Sequence, residues 1–549
     1  MALALKDNSS WQRARLKRFF IGGILGGILA TLILFLGTDA LGYPFPPLAI
    51  FQLLISPVPG SIQSVVVDTF REYAKYSAFV FSSIIYVFLY GMIGVFLGVL
   101  FKGKLSSGAT TIAGTLIPTA MGLGLQLLSA NAFSAVSSTY GWVSSALLVL
   151  AANLIYSQAT IRYVNLTTVE AKRVQPGTSN VPRRGFLRKV AIAAVLLAVG
   201  GFVSKVAISI LSNQPVVTSS NSVPTNPQPQ PQLTTLQTES TVSSYPAIFN
   251  DPRIGSLVDS EVTDNRVFYR VDIDPIPPQL DLDSWTLKIH GNVNNPLTLN
   301  KTSLSSLPTI DEFATLECVS NTIYPPGGLI SNAKWTGIPL ATLLNQAGVM
   351  PNAVYVIFRC GDGYSVGIPI EHALLPNAVL AYKMNDVTLP TEHGFPVRAI
   401  VPGIYGMMNA KWITEIEVTD QVYLGYWQER GWSNDARIKT TSIIYYPAPN
   451  AQVNGSTPIA GVAFAGDRGI SKVEISLDGG NTWNAATLKP PRSPYSWVLW
   501  AYMWTPTSTG TTTITVRAYD GTGQVQDSTI TQSYPDGASG YPSEQVTVT

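Results

Sequence analysis

Five apolar stretches occupy most of the first 211 positions, near 18–37, 76–101, 107–128, 139–157 and 190–211. Each is about 20 residues long, the length a helix needs to cross roughly 30 Å of hydrocarbon. Inside a bilayer every backbone N–H and C=O must be satisfied within the segment, so these stretches are expected to be helices. The fold class expected at the front, over 1–211, is therefore an α-helical membrane anchor of about five spans. The segment from Tyr43 to Val67 is also apolar, but Pro44, Pro46, Pro47, Pro57 and Pro59 interrupt it, which suits an interfacial or re-entrant piece.

Basic residues in short loops set the expected orientation. Arg13, Arg15, Lys17 and Arg18 precede the first span, Lys102 and Lys104 separate the second from the third, and 129–138 carries no charge. The loop after the fourth span holds Arg162, Lys172, Arg173, Arg183, Arg184, Arg188 and Lys189. This pattern predicts a multi-pass cell-membrane protein with a cytoplasmic N-terminus and everything after about residue 211 outside the cytoplasm. The string PRRGFLRK, Pro182–Lys189, is similar to a twin-arginine export signal placed internally, with Arg183, Arg184, Phe186 and Leu187 as the matching positions. A cytoplasmic positive flank is the other reading of the same residues.

Residues 212–246, rich in Ser, Thr, Pro and Gln, have the composition of an extended solvated tether. Beyond it the chain changes character. Residues 1–249 carry 17 Lys+Arg against 6 Asp+Glu, whereas 250–549 carry 18 against 27. An acidic soluble half without basic runs argues against a nucleic-acid partner. From 247 to 440, short β-rich runs such as WTLKIHG, YVIFRCG and ITEIEVT alternate with helix-like stretches such as Ile338–Ala347, which predicts an α+β domain. From 441 to 549 strands are expected throughout. KVEISLDGGNTW reads as a hairpin turning at Asp478–Asn481, and Ile514, Val516 and Ala518 alternate with Thr515, Arg517 and Tyr519, the period of a small β-sandwich. Asn300 and Asn454 open glycosylation sequons on the exported side.

The three histidines, His290, His372 and His393, all lie in the soluble half. Spans without histidine cannot hold a paired-histidine haem, and no CxxCH or iron–sulfur cysteine set is present, so no haem is expected in this chain. The two cysteines, Cys318 and Cys360, exclude a disulfide framework as the main stabiliser. Cys318, in FATLECVSN, ends a strand-like run entering a loop. A thiolate there suits a polarisable metal, although an isolated cysteine is more often a small buried hydrophobe, and a Cys318–Cys360 bridge is a third alternative. HGFPVRAIVPGIYGMMNAKW, His393–Trp412, gathers His393, Arg398 and Lys411 on a Gly- and Pro-punctuated segment suited to an anion such as phosphate. The alternative is a solvated face beside Glu392, Glu415 and Glu417.

Taken in order, RVFYRVDI, DSWTLKIHGNV, TLECVSN, KWTGIPLATLL, DGYS, HGFPVRAIVPGIYGMMNAKW, GYWQERGWS, IAGVAFAG, VEISLDGGNTW and SWVLW resemble the sulfite-oxidase family of molybdopterin oxidoreductases, from about Arg266 to the C-terminus. The resemblance implies an α+β molybdopterin domain over 247–440 and an immunoglobulin-like dimerisation domain over 441–549, with which a homodimer is compatible. It implies a molybdenum–molybdopterin cofactor with Cys318 as the metal's protein ligand and oxygen-atom transfer on a small sulfur or nitrogen compound. Tyr269, Arg270, Asn321, His393, Arg398, Asn409, Ala410 and Lys411 fall where family members hold the cofactor, and Cys360 falls near a pterin contact. Arg270 matches an arginine beside the metal. Two positions depart: Trp432 stands where animal and plant sulfite oxidases have a tyrosine near the metal, and Val498 where they have an arginine. With one cation fewer, a sulfoxide, an N-oxide or another less charged sulfur compound is expected to fit better than sulfite. A pterin cofactor is normally inserted before translocation, which favours the export reading of PRRGFLRK. Electrons are expected to pass to an external carrier: a cytochrome, a cupredoxin or a quinone-linked protein. The rival class is a cofactor-free cell-surface binding or assembly module built on the same fold.

Overall fold

The computed structural model describes residues 2–41, 45–55, 58, 62, 73–101, 108–128, 139–173, 245–274, 277–323 and 328–549. The expected span at 190–211, the arginine pair at 183–184, the uncharged loop at 129–138 and the tether up to residue 244 lie outside them.

In the front half, long helices run over Ala2–Leu41, Tyr73–Leu100, Gly108–Leu128 and Thr139–Arg173, with a short one at Pro46–Ile55 inside the proline-broken segment. Among the described residues three helices are long and apolar enough to cross a membrane, over Gln12–Gly37, Phe79–Leu100 and Ser144–Thr168. Helix Gly108–Leu128, which carries Pro118, is not one of them, so the described part supports three spans where five were expected. Small residues and interhelical hydrogen bonds join these helices. A Cβ on Gly23 would meet the Tyr90 carbonyl oxygen at 2.5 Å, so helices Ala2–Leu41 and Tyr73–Leu100 cross there with backbones in contact. Tyr90 Oη donates to Asn153 Oδ1 at 2.7 Å and Tyr156 Oη to the Tyr90 carbonyl at 2.9 Å, tying helix Tyr73–Leu100 to helix Thr139–Arg173.

The α+β part contains two five-stranded sheets. One orders Leu297–Leu299, Leu287–Gly291, Ile413–Thr419, Tyr355–Cys360 and Ser365–Pro369, with the 287 and 413 strands parallel and the other pairs antiparallel. The other lays Ile310–Glu317, Ile330–Pro339, Val379–Met384 and Val387–Thr388 side by side, with Arg398–Ile400 paired to the 379 strand. Leu340, Leu343, Leu344 and Ala347 bury one face of helix Leu340–Ala347, which Gly348 ends in the left-handed region at φ 69°. The helix starts later than the sequence pattern suggests, because Gly337, Ile338 and Pro339 are still paired with Ala381, Leu380 and Val379.

Residues 441–549 form two sheets packed face to face. Ile459 and Trp500 from one meet Val473, Ile475, Ile514 and Val516 from the other, all fully buried. Burying each such side chain contributes about 1.5–3 kcal/mol. The expected alternation is present: Ile514, Val516 and Ala518 face in, and Ile475 pairs with Asn484 across the Asp478–Asn481 turn. One core runs through both parts, from Leu287 and Phe358 to Ile443, Val462 and Leu499.

A strap at the start of the soluble half closes over the sandwich. Arg253 donates to the Ser456 carbonyl at 2.8 Å, and the ammonium of Lys489 sits 3.8 Å above the Tyr245 ring. Lys489 also donates to both carboxylate oxygens of Glu261 at 2.7 Å. The strap thus fastens residues 245–261 to the sheets that follow.

Candidate active site

The strand Ile310–Glu317 delivers Cys318 to a turn braced by four hydrogen bonds. The Cys318 N–H donates to the Leu329 carbonyl at 2.9 Å, and its own carbonyl accepts from the Asn321 N–H at 2.9 Å. Asn321 Nδ2 donates to Glu317 Oε1 at 2.9 Å, while Asn321 Oδ1 accepts from the Leu329 N–H at 3.0 Å. Asn321 is therefore the frame of the turn, and it is not among the residues lining the cleft. Burial pushes the Glu317 carboxyl up to about 7 despite the Asn321 amide that favours its charged form.

Cys318 opens into a cleft enclosing about 930 Å³, part of it open to solvent. Tyr269, His393, Arg398, Asn409, Ala410, Lys411 and Trp432 line it with Cys318. These residues come from four separate segments, and the fold brings them together. Arg270 and Cys360 do not line it: Arg270 is half-buried beside it, and Cys360 sits in the core as an unbridged thiol that burial holds well above its ordinary range.

The segment His393–Trp412 owes its shape to a close approach. Gly394 has φ 118°, and a Cβ there would press on Arg398 Cβ at 3.0 Å and Lys411 Cβ at 3.1 Å. Arg398 is 5% exposed, with its guanidinium 4.9 Å above the Trp335 ring. It donates to the carbonyls of His393 at 3.0 Å and Asn409 at 3.3 Å, and its Nε is buried without a partner. Burial lowers Arg398 to about 10. The nearby Asp272 offsets part of that burial, but it is paired with Lys411, and Arg398 itself hydrogen-bonds only carbonyls among the described residues, an arrangement that suits an added anion.

Around it the other charges are settled differently. Lys411 pairs with Asp272, 139 residues earlier, rather than standing open to a ligand. His393 is pushed down to about 3, chiefly by burial and further by Lys411, Arg398 and Arg270, so it is neutral and its Nε2 donates to the Asn265 carbonyl at 2.6 Å. Asn409 spends its side chain on the Val401 N–H at 2.6 Å and the Tyr405 carbonyl at 3.2 Å. Asp362, which sequence reading left unassigned inside DGYS, is 3% exposed and lines the cleft. Burial and the neighbouring Asp274 and Asp272 raise it to about 8. Val271, Val319, Met407, Trp427 and Trp432 make much of the remaining wall apolar. Val498 is buried in a sandwich strand and does not line the cleft.

Two family descriptions match this part of the chain: an oxidoreductase molybdopterin binding domain over 274–427 and a Mo-co oxidoreductase dimerisation domain over 433–534. Mitochondrial sulfite oxidase of Drosophila melanogaster is 32% identical over 298 residues, 46% of this chain and 52% of that protein. The chain thus spans about half the length of that relative. Sulfite oxidase of Arabidopsis thaliana is 30% identical over 339 residues, 51% of this chain and 86% of that protein. The chain belongs to the sulfite-oxidase family of molybdopterin oxidoreductases. The crystal structure of the sulfane dehydrogenase SoxCD from Paracoccus pantotrophus is 24% identical, with a TM-score of 0.46, covering 52% of this chain and 80% of that one.

The family implies a molybdenum–pterin cofactor, and the residues of this sulfite-oxidase-family chain suit one. Among the described residues no group of three or more His, Cys, Asp or Glu could cage a metal ion, so a metal in the cleft needs most of its donors from a cofactor. Cys318 offers the soft thiolate, and Arg398 offers a buried cation for an anionic group.

Proposed function

We propose that the chain is a membrane-anchored, externally facing molybdenum–pterin oxidoreductase that moves an oxygen atom to or from a small sulfur or nitrogen compound. The observation that carries this reading is the pairing, in one cleft, of the Cys318 thiol with a buried Arg398 guanidinium whose hydrogen bonds among the described residues go to carbonyls and which makes no ion pair there, Asp272 being paired with Lys411. When bound, the cofactor supplies a two-electron change coupled to oxygen-atom transfer. Cys318 would ligate the metal, Arg398 would hold an anionic group of the cofactor, and neutral His393, with Asn409 to Lys411, would shape the surrounding wall. Arg270 and Trp432 are the residues proposed for the substrate end. Trp427, Trp432 and Met407 keep water from that side and favour a weakly charged sulfoxide, N-oxide or related sulfur compound over a dianion.

The domains proposed are a membrane region over 1–211, a tether over 212–246, the molybdopterin domain over 247–440 and an immunoglobulin-like dimerisation domain over 441–549. A one-electron carrier outside the cytoplasm would take or supply the electrons, and the acidic balance of 250–549 favours a basic one.

Metal and pterin analysis of the purified protein tests the proposal. Near-stoichiometric molybdenum and pterin are expected, and protein containing neither overturns it. Cys318→Ser should remain folded while losing the thiolate-to-metal absorbance and turnover. Assays with sulfite and with sulfoxides, using artificial electron carriers, assign direction and substrate. Proteolysis of the tether in intact cells should come from the outer face only.

A further inference from the structure

Ser320 stands two residues beyond Cys318, and its Oγ lies 3.0 Å from the Cys318 sulfur. Both side chains are buried, at 7% and 6% exposure, and both line the cleft. The Ser320 hydroxyl has no second partner among the described residues. The braces from Glu317 through Asn321 to Leu329 hold the turn that carries both residues, so their separation is built into the backbone. A sulfur that ligates a metal carries no proton. In that state the hydroxyl is the one member of the pair able to donate.

We infer that the Ser320 hydroxyl donates a hydrogen bond to the ligand sulfur of Cys318 and thereby sets how strongly that sulfur pushes electron density onto the molybdenum. The inference rests on the molybdenum–thiolate reading above. A donor aimed at a thiolate stabilises its lone pairs, weakens its donation and raises the reduction potential of the metal it binds. Ser320 is then a positioning residue acting through Cys318, and it biases the site toward accepting electrons from substrate. Ser320 lies in the same cleft wall as Val319, whose side chain has no donor to offer in its place.

The test compares the parent with Ser320→Ala and Ser320→Thr in the full chain loaded with cofactor. Ser320→Ala should keep its molybdenum, move the thiolate-to-metal absorption to longer wavelength and lower the reduction potential measured by redox titration. Ser320→Thr, which keeps the hydroxyl, should stay near the parent on both. Transfer of the parent into heavy water should shift the metal–sulfur stretching frequency, and Ser320→Ala should not respond. This solvent-isotope measurement on the parent decides the matter even where the alanine variant loads poorly. A loaded Ser320→Ala protein with unchanged absorption and potential, or a parent without the isotope shift, overturns the inference while leaving the molybdenum reading intact. A parent that binds no molybdenum overturns both.

Discussion

Lys489 and Glu261, 228 residues apart in the chain, meet at 2.7 Å through both carboxylate oxygens, with only 2% and 5% of their side-chain surfaces exposed. Arg492, half in solvent, adds a second cation at 2.9 Å. Removing Lys489 leaves the buried Glu261 carboxylate with only the half-exposed Arg492 to compensate it. Lys489→Ala is therefore expected to destabilise the soluble part by about 3 kcal/mol. Combining it with Glu261→Leu should recover much of the loss. Denaturant titration followed by tryptophan fluorescence checks this, and an additive double variant would contradict it.

Arg398 makes a sharper prediction about the cofactor than about stability. Lysine keeps the charge but not the planar fork that reaches the His393 and Asn409 carbonyls while stacking on Trp335. Arg398→Lys should purify with pterin and molybdenum reduced together by roughly ten-fold, the equivalent of one lost charge-assisted contact. Parent-like content would remove Arg398 from the anion-holding role.

Asp362 should make the cofactor-free protein lose stability as pH rises. Its folded pKa is raised to about 8 from 3.8, so its contribution is complete below the unfolded value and disappears as pH climbs toward 8. Asp362→Asn should flatten that decline by up to ~1.4 kcal/mol per pH unit across the window. Melting curves of parent and variant from pH 5 to about 8 measure the difference; parallel curves would show that the carboxyl ionises freely.

The acidic balance beyond residue 250 should appear in the kinetics with a basic electron carrier. Rising ionic strength is expected to slow the second-order step by ~10-fold between low and physiological salt, because steering between exposed opposite charges is screened. Stopped-flow rates independent of salt would exclude electrostatic steering.

Order along the chain singled out Cys318, His393, Arg398 and Lys411, since each sits in a string with its own spacing, and the fold gathers all four around one cleft. The sandwich strands were legible because a period of two is local: Ile514, Val516 and Ala518 announce their face without reference to anything distant. What stayed hidden depends on partners far away in sequence. Lys411 reads as an open cation until Asp272 is placed beside it. Asp362 reads as a turn residue until Asp274 and the core close around it. Ser320 lies inside TLECVSN, but its distance to the Cys318 sulfur is a property of the folded turn. Helix Leu340–Ala347 was overextended to Ile338 because an apolar run cannot declare that its first residues are paired in a strand.

The strap that lands on the sandwich also decides how the molecule bears tension. Any pull transmitted through the chain ahead of Tyr245 reaches the Arg253, Glu261 and Lys489 fastenings before it reaches Phe268, where the cleft wall begins. Such a load is taken up at the Ser456, Tyr245 and Glu261 contacts themselves. The distances around Cys318, on which oxygen transfer would depend, lie on the slack side of the knot.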